Sequence, residues 1–76
     1  MTDQEDQHLA QADRHIAQCM ELIARQKELI RRMAQRGQST AAAEATLKAW
    51  QASLQTFEKH RKLILSRLNA EKWHPG

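Results

Sequence analysis

Met33-Ala34-Gln35-Arg36-Gly37-Gln38-Ser39-Thr40-Ala41-Ala42-Ala43-Glu44 is the stretch that decides the fold. Gly37 stands where a residue just past a helix end needs a left-handed backbone. Ser39 or Thr40 supplies an N-cap hydroxyl. Three alanines, the strongest helix formers, follow. One helix stops and another starts within two or three residues, which is the connection of an antiparallel helical hairpin.

The pattern on each side of the turn agrees. In the first helix, about residues 2–36, apolar residues step by three and four through Leu9, Ala12, Ile16, Cys19, Ile23, Ile30 and Met33, with Gln26 filling one step. That period is helical. Leu22 and Leu29 form a second row beside it, and Met20 lies nearby. Thr2 and Glu5 fit a capping box. Asp3, Glu5 and Asp6 crowd the start while Arg31, Arg32 and Arg36 crowd the end, the order a helix dipole favours. The second helix, about residues 40–71, carries Ala43, Leu47, Trp50, Leu54, Phe57, Ile64 and Leu68, with Arg61 interposed and Leu65 alongside. The tail, residues 72–76, is expected to leave the helix. Glu21–Arg25, Glu28–Arg32, Glu44–Lys48 and Glu58–Lys62 are acid-before-base pairs one turn apart and mark solvated faces.

Composition narrows the alternatives. Seventy-six residues allow one domain, spanning 1–76. Two glycines and one proline are too few for the turns of an all-β fold. No apolar run approaches the ~20 residues of a membrane span. The acidic start does not read as a secretory signal. Cys19 is the single cysteine, so no internal disulfide forms, and a lone thiol suits the cytoplasm.

A hairpin closing near Gln38 brings the two stripes together without adjustment. Ala12 should face Ile64, Leu9 face Leu68, Cys19 face Phe57, Ile23 face Leu54, Ile30 face Leu47 and Met33 face Ala43. Two layers are mixed: Gln26 with Trp50, and Ile16 with Arg61. Gln26 is read as a register-setting polar position. The Arg61 stem should cross the seam edge, with its guanidinium reaching water or Asp13. Two helices meet along one seam and enclose no core, and domains this small need a staple or a partner. The expected assembly is therefore a homodimeric four-helix bundle. Its core and interface are assigned to Leu22, Ile23, Leu29, Ile30, Leu47, Trp50, Leu54, Phe57, Ile64 and Leu68.

Several chemistries can be weighed. His15 and Cys19 are one turn apart and the register brings His60 near them, but a closed zinc site needs four ligands. Cys19 with His15 is formally a nucleophile and a base, yet a hairpin offers no cleft, and no phosphate loop or nucleophile elbow is present. The chain is thus expected to be no enzyme, with no cofactor and no small-molecule substrate. The formal charge of +3 permits contact with phosphates. Arg25, Arg31, Arg32 and Arg36, at the turn end, are the candidate contacts for nucleic acid or another anionic partner. The amphipathic faces are matched to each other rather than to a membrane surface. The expected role is a small helical protein–protein interaction or adaptor module, with itself or another helical protein as partner. The alternative is a hairpin dimer that binds RNA or DNA through its arginines.

Overall fold

A computed structural model describes residues 3–72, which form two packed helices: α1 spans Asp3–Gln35 and α2 spans Ala41–Lys72. Among the described residues there is no strand. The expected bounds differ by one residue at most where they can be compared, within the ordinary fraying of helix ends. The Thr2 cap and residues 73–76 lie outside the described residues.

The turn is built as its residues require. Gly37 has φ 72°. The Gln38 N–H donates to the Met33 carbonyl at 2.9 Å and the Gly37 N–H to the Ala34 carbonyl at 3.1 Å. These are the paired bonds of a Schellman motif, and they satisfy two carbonyls that the helix end leaves open. On the other side the Glu44 N–H donates to the Thr40 carbonyl at 2.8 Å, which makes Thr40 the N-cap of α2. The Thr40 hydroxyl donates to the Glu44 carboxylate, an acid in the first turn where the helix dipole favours it.

A Cβ built on Gly37 meets nothing within 4 Å. Gly37→Ala therefore adds only backbone strain, and it should lower stability by about 1 kcal/mol. Gly37→Asn should cost less, because asparagine tolerates the left-handed region. Equal stability of all three proteins in a denaturant titration would show that the turn does not hold this conformation.

The seam is thin. Ala12, Ile64 and Leu68 form the buried cluster at the open end, and Leu9 packs on it. Ile64, 1% exposed, is the largest fully buried side chain among the described residues. Toward the turn, Cys19, Ile23, Gln26 and Ala43 are buried. The expected pairing of Ala12 with Ile64 and Leu9 with Leu68 thus appears as one cluster. In the layer expected to pair Gln26 with Trp50, the Gln26 amide donates to the Ala43 carbonyl at 2.9 Å, on a residue two helical turns nearer the loop than Trp50. The alanine side chain is short enough to leave that carbonyl within reach.

Arg61 crosses the seam edge and pairs with Asp13 at 2.5 Å, as its long stem allows. Phe57 packs against the His15 ring, with centroids 5.1 Å apart and planes tilted by 43°.

Candidate interaction surface

The expected interface residues divide into three groups. Ile23, Ile64 and Leu68 are buried within the hairpin. Ile30, Leu47, Trp50, Leu54 and Phe57 are half-buried along its edges. Leu22 and Leu29 remain 39% and 44% exposed. The hairpin thus uses the first group for its own folding, while Leu22 and Leu29 stay uncovered. Helical geometry explains the division. The buried positions of α1 step along the centre of its inner face, and Leu22 and Leu29, seven residues apart, run along one flank of it.

Each side of the seam carries an open groove. One, of about 250 Å³, is lined by His8, Gln11, Ala12, His15, Phe57 and His60. The other, of about 310 Å³, is lined by Asp13, Ile16, Glu58, Arg61 and Lys62. The first brings His15 and His60 together, as the register implied, and adds His8. Cys19 instead lies buried in the seam. Among the described residues no three His, Cys, Asp or Glu side chains are placed to hold a metal ion. His15 is turned onto Phe57, so the ring is used for packing.

No protein-family model, curated protein or solved structure matches this chain. Geometry is therefore the ground for any functional assignment. No described helix is long and apolar enough to cross a membrane.

The arginines at the turn end have neighbours that spacing only partly indicated. Arg25 pairs with Glu21 at 2.6 Å. Arg31 donates twice to Glu28, at 2.5 and 3.0 Å, and Arg32 lies 3.5 Å from the same carboxylate. The hydrogen bond from Arg31 holds the Glu28 carboxyl below its usual range and raises the Arg31 guanidinium in turn. Because the Glu28 pKa is lowered on folding, the pair's small contribution is present above the usual carboxylate range. It is lost as pH falls through the folded value. Among the described residues Arg36 has no such carboxylate. Of the other acid-before-base spacings, Glu44 turns to Thr40 rather than Lys48.

Two exposed side chains were not marked by the stripes. Leu63, 58% exposed, lies on the outer side of α2, one residue before fully buried Ile64. His8 lies seven residues before His15, a spacing that places both on one line of α1.

Proposed function

We propose that the protein is a non-enzymatic helical interaction module whose working unit is a homodimer, two hairpins packed as a four-helix bundle. The observation that carries this is the pair Leu22 and Leu29. They are large and apolar, lie beside the seam, and are left open by the hairpin's own packing. Covering them on a second amphipathic pair supplies the second layer that a lone hairpin lacks. The two grooves run open along the seam, a shape suited to meeting another surface rather than enclosing a reactant. A cytoplasmic location fits the unpaired Cys19 thiol.

Binding of RNA or DNA through Arg25, Arg31, Arg32 and Arg36 is less well supported. Arg25, Arg31 and Arg32 already face Glu21 and Glu28 on their own helix.

Light scattering on the purified protein tests the proposal. The expected mass is twice the 8.8 kDa of one chain at tens of micromolar. A species that stays at 8.8 kDa throughout that range would end it.

A further inference from the structure

The two sides of the hairpin differ in chemistry, and the difference selects where a second copy docks. His8, His15, Leu22 and Leu29 are spaced by sevens and run along one line of α1. His60, Ser53 and Thr46 are spaced by sevens along one line of α2. Because His8, His15 and His60 line one groove, both lines lie on the same side of the hairpin. Toward the turn, that side sets two leucines beside small residues. From His8 to Leu29 and from Thr46 to His60 neither line carries a Lys, Arg, Asp or Glu, in a chain that is 28% charged; the next positions by sevens are Arg36, past the end of α1, and Arg67, at the open end of α2.

The opposite groove carries Asp13, Glu58, Arg61 and Lys62. Covering that side would take charges out of water. Covering the uncharged stretch of the other side, between Arg36 and Arg67, does not. The Thr46 hydroxyl already donates to the Ala42 carbonyl of its own helix at 3.2 Å, so it can be covered without losing a partner.

We infer that the occupant is a second copy of this chain, seated on the uncharged side, with Leu22 and Leu29 of each copy against Ser53 and Thr46 of the other and both turns at the same end. This inference rests on the self-association proposed above. Size complementarity sets the orientation. A two-fold axis along the hairpin places α1 of one copy over α2 of the other and leaves every residue at its own height. A hairpin folded near Gln38 puts Leu22 level with Ser53, and Leu29 level with Thr46. A crosswise axis would instead stack α1 on α1 and direct the leucines toward the histidine end. The uncharged stretch from His8 to Leu29 is about 32 Å long and 15 Å wide, a footprint of roughly 500 Å² per copy and about 1,000 Å² in all, the lower end of what a specific interface needs.

Three variants test the arrangement, each checked for helicity by circular dichroism. Leu22→Glu with Leu29→Glu should halve the solution mass. Met20→Glu should leave it unchanged, since Met20 lies seven residues from Asp13 on the charged side. Gln38→Cys in a Cys19→Ala background should cross-link to a covalent dimer on oxidation, because the turns meet. If the leucine pair proves to be required for folding, the cross-link decides. A dimer that survives the leucine changes folded, or is lost with Met20→Glu, overturns the assigned side while self-association stands. A dimer whose turns do not cross-link overturns the orientation. A wild-type monomer overturns both the inference and the proposed function.

Discussion

Ile64→Ala should lower the unfolding free energy by about 2–4 kcal/mol, the cost of removing buried methylenes and leaving the space they filled. Ile64 is 1% exposed and sits with Ala12 and Leu68 in the one buried cluster at the open end. Ala12 across the seam cannot move in to fill the gap, since its side chain is a single methyl. The loss is a large share of what a small domain holds, because such domains have only ~5–15 kcal/mol in total. Leu63→Ala is the matched control. It removes a side chain of the same size one residue away, but that side chain is 58% exposed, so the change should stay within about 0.5 kcal/mol. Denaturant titrations should be run at fixed protein concentration, because a dimer's midpoint depends on it. Similar costs at positions 64 and 63 would mean that α2 is rotated from the orientation described.

Gln26→Glu should cost about 2–3 kcal/mol at neutral pH, and part of that loss should return in acid. The Gln26 side chain is buried, and its amide donates to the Ala43 carbonyl. Glutamate has the same shape, but its carboxylate cannot donate, so a buried negative charge would face a carbonyl oxygen. Burial and the lost bond both raise the carboxyl's folded pKa above its unfolded value. The charged form is therefore the one that destabilises. The penalty is present above the folded pKa and relieved as pH falls below it, where the protonated acid can donate again. The measurement is the difference in unfolding free energy between variant and wild type at pH 7 and near pH 4. A difference that does not shrink with acid would show that the side chain turns to water instead of reaching Ala43.

These two positions show how far the sequence could be read. Ile64 belongs to a stripe of threes and fours and was expected in the seam opposite Ala12, where it is found. Gln26 was also expected in the seam, but its partner was not. Its distance to the Ala43 carbonyl depends on how closely the helices approach, and the small side chain at position 43 sets that approach. His15 followed the same logic. Its spacing from Cys19 suits a ligand, whereas in the structure its ring lies on Phe57. The exposed pair Leu22 and Leu29 was visible as a second row, while the contrast between an uncharged and a charged side was not. That contrast requires knowing which flank of α1 adjoins which flank of α2.

What the residues alone determined is the local part: two long helices and a glycine-capped turn. Hydrophobic period, helix propensity and capping chemistry each act within a few residues of their own position. Only the tertiary structure decided how each helix is rotated about its axis. That setting depends on the side-chain sizes of both helices wherever they touch, and it fixes which groups line each groove.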